Sequence, residues 1–191
     1  MSHLKMILDT QEFPVPEKIE LPEGFRLIRC DVEYVEKYCD LRNRAGWGAP
    51  GYTHEDFVKA WRKNLLETPL PRGLVVCEEA ASGIAVAAAT AEICSNPAMA
   101  VLGQVMSDPA FRGKGLGKAV CLEAMRVCVE QGFRFLYLDT DDFRIPALKI
   151  YLGSGWSPLL SDENAEEVWR KVCQELDLDY DSLKPYTQIP V

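Results

Sequence analysis

The sequence predicts a mixed α/β (α+β) fold: a mostly antiparallel central sheet of six to seven strands, flanked by helices, with one parallel strand pair. Three observations carry this. Apolar runs of strand length recur at Phe25–Cys30, Leu74–Glu78, Ile84–Cys94, Met99–Met106 and Phe133–Asp139. The middle three are joined only by short turns, Ala80–Gly83 and Ser95–Ala98, as consecutive hairpins are. Between the last two lies Leu116–Gln131, a nearly all-round apolar segment that reads as a helix. A helix between two strands is half of a βαβ unit, so the Met99 and Phe133 strands should be parallel neighbours.

Taken in order, residues 1–22 read as an arm lying over the domain, with a brief strand at Met6–Leu8 and Pro14, Pro16 and Pro22 breaking regular structure. Phe25–Cys30 is a first strand. Asp31 is expected to cap a helix to about Leu41, with Val32, Val35 and Tyr38 at helical spacing. Asn43–Tyr52 is a loop whose Trp47 and Tyr52 either wall a substrate pocket or plug the loop onto the core. Thr53 caps a second helix to about Leu66, with Phe57, Ala60, Trp61 and Leu65 as its apolar stripe. Past the hairpins and the apolar helix, Asp139–Asp142 forms a turn of carboxylates. Pro146 stands in the first turn of a helix through Leu152, ended by Gly153–Gly155. Trp156–Leu160 is a short strand. Ser161 or Asp162 starts a last helix to about Leu176, buried through Val168, Trp169, Val172 and Leu176, and Tyr186–Ile189 adds an edge strand. No repeat or linker divides the chain, which is read as one domain over 1–191.

Its 191 residues, 48% hydrophobic and 26% charged, suit a domain with a real core. A net charge of −8 argues against non-specific nucleic-acid binding, which rests on clustered Lys and Arg. An acidic surface steers cations such as amines. The cysteines at 30, 39, 77, 94, 121, 128 and 173 form no Cys-x-x-Cys pair, so buried free thiols in a reducing cytoplasm are expected rather than disulfides or metal. With only His3 and His54, a histidine metal site or triad is disfavoured. No apolar run is long enough for a membrane span.

The chemistry gathers at Arg112-Gly113-Lys114-Gly115-Leu116-Gly117-Lys118. Glycines between a strand and a helix let main-chain N–H groups approach an anion closely, and the helix dipole points its positive end at the same place. Two well-known phosphate loops do not fit. In the P-loop pattern Arg112 would stand at the first glycine and Ala119 at the magnesium-binding hydroxyl; the dinucleotide fingerprint needs its third glycine three places after the second, whereas here they alternate. What fits is Gln/Arg-x-x-Gly-x-Gly/Ala, met by Arg112, Gly115 and Gly117. That resembles the pyrophosphate loop of the GNAT superfamily of acetyl-CoA-dependent N-acetyltransferases.

A second stretch strengthens the resemblance. Ala147-x3-Tyr151-x3-Gly155-Trp156 is similar to the family's Asn-x-x-Ala-x3-Tyr-x3-Gly-Phe, with Trp for Phe and Arg144 at the asparagine position. The resemblance implies that the parallel strands splay apart to admit the pantetheine arm of acetyl-CoA. It implies that main-chain groups of Val105, Met106 and Ser107 hold that arm and polarise the acetyl carbonyl, an N–H there contributing about 3 kcal/mol. Residues 112–118 (Arg112, Gly113, Lys114, Gly115, Leu116, Gly117 and Lys118) would hold the diphosphate, and Arg144 would serve a phosphate. Tyr151 is expected to protonate the leaving thiolate. The implied activity is direct acetyl transfer to a primary amine of a small molecule or peptide. For the general base, the strand before the loop offers only Gln104, and Glu92, Asp139 and Asp141 are open candidates. A non-catalytic acyl-CoA-binding module is the alternative. The acceptor is not readable, nor is the oligomeric state, with a homodimer left open.

Overall fold

The computed structural model describes residues 2–190. Its strands are β1 (His3–Asp9), β2 (Phe25–Cys30), β3 (Pro69–Glu79), β4 (Ile84–Ile93), β5 (Met99–Ser107), β6 (Phe135–Asp141) and β7 (Ser157–Leu159). Its helices are α1 (Val35–Arg44), α2 (His54–Glu67), α3 (Leu116–Glu130), α4 (Ile145–Leu152) and α5 (Ala165–Leu176). All seven strands join one sheet in the order β2-β3-β4-β5-β6-β1-β7. Every neighbouring pair is antiparallel except β5 and β6, as the βαβ reading requires. Helices α1 and α2 bury Tyr38, Leu41, Phe57 and Val58 against one face through Val76 and Ala88; α3 to α5 bury Val120, Met125, Leu148 and Trp169 against the other through Val75, Ala87 and Leu136.

The N-terminus departs most from expectation. His3–Asp9 is not part of an arm but an inner strand, paired with β6 over its full length and with β7 through Lys5, Met6 and Ile7. Both of its faces are covered, so Leu4, Met6, Ile7 and Leu8 are all buried and the run lacks the alternation that marks a half-exposed strand. Residues 10–24 must then travel from the sixth position in the sheet to its edge. They do so as a strap over α3, whose Arg126 Nη2 donates to the carbonyls of Pro16 (2.6 Å) and Glu17 (2.9 Å).

Smaller corrections have local causes. Asp31 makes no side-chain cap; its carboxylate accepts from Arg72 N–H at 2.6 Å, and a 3₁₀ turn over Val32–Tyr34 leads into α1. Thr53 does cap α2, accepting from Asp56 N–H at 3.2 Å, but the buried stripe takes Val58 in place of the exposed Ala60. β6 starts and ends two residues later than expected, so Asp141 as well as Asp139 lies on the strand rather than in a turn. α5 starts at Ala165, after Asp162 has accepted from Asn164 N–H. The tail contributes one parallel bridge, Leu159–Tyr186, in place of an edge strand.

Candidate active site

The parallel pair is short. β5 and β6 are in register only at Met99–Phe135, Ala100–Leu136 and Val101–Tyr137; beyond Val101 they part, while β6 stays paired with β1 to its end. The cause is visible on β5. Between the pairs Ala88–Met106 and Thr90–Gly103, β5 has one residue more than β4, and Gln104 adopts φ +48°. Such a bulge bends its strand and sharpens the local twist, which turns the end of β5 away from β6. Asp108 N–H donates to Val86 O on β4, so strand alternation turns the main-chain groups of Ser107 and Val105 toward the gap and those of Met106 back toward β4.

At the end of β5, buried Asp108 anchors the turn into the glycine loop. It accepts from Arg44 Nε (2.7 Å) and from Ala110 N–H (2.9 Å). Burial opposes its charge, but these donors outweigh burial and hold the carboxyl below its usual range. In the loop itself, Gly113 and Gly115 have φ +79° and +77°, the left-handed region that side chains resist. Ala119 N–H is the first in α3 to meet a carbonyl, that of Gly115 at 3.1 Å. The N–H groups of Leu116, Gly117 and Lys118 precede that turn and have no intrahelical acceptor. Arg112 and Lys118 are exposed beside them; Lys114 instead lies over the rings of Phe25 and Phe111.

A cavity of about 320 Å³ opens where the strands part. Tyr151 lines it from α4, as do Glu92 from β4 and Gln104 from β5. Tyr151 is buried against Trp156 and the α3 side of the core, and burial pushes its phenol well above the usual tyrosine value, with Cys121 adding to the shift and Arg144 opposing it. It therefore stays protonated at any ordinary pH. Glu92 crosses from the other face. Its carboxylate lies over Gly103, where a Cβ would come within 2.5 Å of Oε1, and it accepts a hydrogen bond from the Thr90 hydroxyl. Burial raises its pKa, partly offset by Thr90, and among the described residues no cation pairs with it. The other two carboxylates are committed elsewhere. Asp141 accepts from Arg144 Nε (2.8 Å) and faces His3 Nδ1 (3.0 Å), and Asp139 accepts from the Tyr137 hydroxyl (2.6 Å).

Arg144, expected from the resemblance to serve a phosphate, lines the cavity. It is tied to Asp141 and stacks on Trp47 (4.9 Å to the ring centre), at the rim of the cavity rather than in the glycine loop. Trp47 lines the cavity, whereas Tyr52 is 62% exposed and does not. Behind Trp47 stands a group the sequence did not single out: Arg42 of α1, buried, with its guanidinium 3.7 Å from the centre of the Trp61 ring. Arg42 Nη1 donates to Gln104 Oε1 at 2.9 Å and to the Tyr38 hydroxyl at 3.1 Å. All seven cysteines are unpaired, and Cys94 alone is not buried. Among the described residues no group of His, Cys, Asp and Glu suits a metal, and no helix is long and apolar enough to cross a membrane.

Comparison with known proteins agrees with this geometry. The family model described as "Acetyltransferase (GNAT) family" matches residues 35–156. No curated protein matches the chain in sequence. Among solved structures, a GCN5-related N-acetyltransferase from Sphaerobacter thermophilus superposes with TM-score 0.61 at 20% identity, over 82% of this chain and 48% of its own. A tandem GNAT protein of the clavulanic acid biosynthesis pathway, solved without acetyl-CoA, gives TM-score 0.66 at 18% identity, over 82% and 50%. The ribosomal-protein-S18-alanine N-acetyltransferase from Escherichia coli gives 0.54 at 18%, over 69% and 76%. The chain thus spans about half the length of the first two, and at such identities the likeness is one of fold.

Proposed function

The chain belongs to the GNAT acetyltransferase family, and from that premise we propose that it moves an acetyl group from acetyl-CoA directly to a primary amine. The observation that carries this reading is the cavity through the split sheet, with a half-buried carboxylate that meets no cation on one side and a buried phenol on the other. The residues fit the co-substrate: glycines at positive φ and free N–H groups at the start of α3 suit a diphosphate, and the unpaired edge of β5 suits an extended amide-bearing arm.

In this reading Glu92, ionised, takes the proton of the incoming ammonium or of the amine as it attacks the thioester carbon. A main-chain N–H on the gap side of β5 stabilises the tetrahedral oxyanion. As the C–N bond completes and the C–S bond breaks, Tyr151 gives its proton to the departing thiolate. Glu92 supplies from β4 the carboxylate that β5 lacks, which disfavours the reading as a non-catalytic acyl-CoA-binding module. Unpaired cysteines and an acidic surface suit a cytoplasmic enzyme that attracts cationic amines. The test is thiol release from acetyl-CoA with a panel of amines and peptides. Turnover by the wild type that is lost in Tyr151→Phe supports the reading; acetyl-CoA binding with no acceptor anywhere in the panel favours the non-catalytic one.

A further inference from the structure

We propose that Gln104 is a specificity-determining residue that reads a carbonyl oxygen adjacent to the acceptor's amine, with Arg42 as the residue that positions it. The acceptor class this selects is an α-amino carbonyl compound: an amino-acid amide or a peptide N-terminus. The inference rests on the N-acetyltransferase reading.

The orientation of the Gln104 amide is unambiguous. An amide's oxygen and nitrogen are easily confused, but a guanidinium has only donors. The atom of Gln104 that faces Arg42 Nη1 at 2.9 Å is therefore the oxygen. Arg42 cannot turn away from this bond easily. It is buried, stacked on Trp61 at 3.7 Å, under Trp47, and bonded to Tyr38. Among the described residues Arg42 makes no ion pair and its Nε has no partner, so the Gln104 oxygen and the Tyr38 hydroxyl are the side-chain acceptors that hold it.

The backbone of Gln104 is also held, at φ +48° in the β5 bulge. With its oxygen taken, the side-chain amide directs its two N–H donors the other way. Gln104 lines the catalytic cavity beside Glu92, and its nitrogen is not among the buried side-chain atoms lacking a partner. An N–H donor next to a carboxylate is a fitted pair for one ligand feature. In this arrangement the carboxylate takes the attacking amine and the donor takes an acceptor oxygen three bonds from the amine nitrogen. A site built to bond such an oxygen discriminates against analogues without it, because the donor is then left unpaired.

The experiment uses the full chain and two measurements. Calorimetry with acetyl-CoA establishes whether the co-substrate binds. Thiol release then compares alaninamide and the tripeptide amide Ala-Gly-Gly-NH₂ with sec-butylamine, which lacks the carbonyl. The readout is the ratio of kcat/KM for carbonyl-bearing to carbonyl-free amine, in wild type and in Gln104→Glu. That variant keeps the Arg42 contact, now as an ion pair, but replaces the donors with an acceptor. The ratio should fall about tenfold, the worth of one hydrogen bond to a neutral group. Arg42→Met, which keeps the packing on Trp61 but frees the Gln104 amide to turn over, should lower the ratio in the same direction with acetyl-CoA affinity unmoved. Preference for the tripeptide over alaninamide assigns a peptide terminus as the source, and the reverse assigns a free amino-acid derivative. An unchanged ratio in Gln104→Glu overturns the proposal, as does turnover of sec-butylamine alone, or no turnover of either carbonyl compound by protein that binds acetyl-CoA. Failure to bind acetyl-CoA would instead strike the enzymatic reading on which the proposal stands.

Discussion

Glu92 and Tyr151 open into one cavity from opposite faces of the sheet. Ala87, Ala89 and Ala91 of β4 point into the core under α3, so alternation sends Glu92, like Ala88, to the α1 side. Tyr151 packs on the α3 side with Val120 and Cys121. Only a gap in the sheet brings the two together, and the bulge at Gln104 makes that gap.

Tyr151→Phe should lower kcat about 10²-fold while the Kd for acetyl-CoA stays within about twofold. The ring still packs on Trp156 and only the hydroxyl is lost. Steady-state kinetics paired with calorimetry checks this. Unchanged kcat would remove Tyr151 from the mechanism.

Glu92 must be ionised to accept a proton, and burial lifts its pKa above the ordinary 4.5. The kcat/KM profile should therefore rise with pH through a limb lying above that value, and the limb should vanish in Glu92→Gln together with about 10²-fold or more of the rate. Stability gives an independent reading. A carboxyl whose folded pKa is raised binds its proton more tightly when folded. Its contribution therefore falls as pH rises from the ordinary value through the raised one, and stays lowered above. Glu92→Gln should melt higher than wild type at neutral pH while being nearly inactive. A lower melting temperature there would mean that the carboxylate is held by partners rather than strained by burial.

Gly103→Ala probes the same residue from the backbone. A Cβ there would stand 2.5 Å from Glu92 Oε1, so the carboxylate must move off the strand. Activity should fall towards that of Glu92→Gln, with little change in acetyl-CoA affinity; full activity would show that the position of Glu92 does not matter.

Gly117→Glu should abolish acetyl-CoA binding without unfolding the chain. A Cβ at 117 would meet Ile150 Cδ1 at 3.6 Å, an ordinary contact, so the effect comes from placing a carboxylate where a diphosphate should sit. Calorimetry and circular dichroism on one preparation separate the two.

Gly155→Ala should cost stability through the strap. The residue has φ +89°, and a Cβ would lie 2.5 Å from Phe13 Cγ. About 1–2 kcal/mol is expected from the backbone alone, lowering Tm by several degrees. Adding Phe13→Gly removes the clashing atoms, Cγ at 2.5 Å and Cβ at 2.6 Å, but not the backbone strain, so the double variant should recover only part of the loss. Complete additivity would show that strap and turn do not press on each other.

What was legible in the sequence was local. Glycine spacing, the hairpin turns and the apolar α3 are short-range patterns, and the parallel neighbour of β5 followed from the helix before it. The Tyr151 motif was readable for the same reason. Of β1 only the brief run Met6–Leu8 was readable; its full length and inner place were not, since its buried faces hide the alternation and its partners lie beyond residue 134. The part of the cavity lined by Trp47, Gln104 and Arg144 was not legible either. It is assembled from Arg42 meeting Gln104 across 62 positions and Trp47 meeting Arg144, and no local spacing encodes such pairs. Where the family pattern has asparagine, the Arg144 guanidinium is taken up by Asp141, three residues before it.

Whether main-chain amides of the glycine loop hold the diphosphate of acetyl-CoA can be read by titrating ¹⁵N-labelled protein with acetyl-CoA and following its amide resonances. The N–H signals of Gly113, Gly115 and Gly117 should shift together, saturate with the calorimetric Kd, and stay unmoved in Gly117→Glu. Saturable binding that leaves those three amides where they were would contradict it.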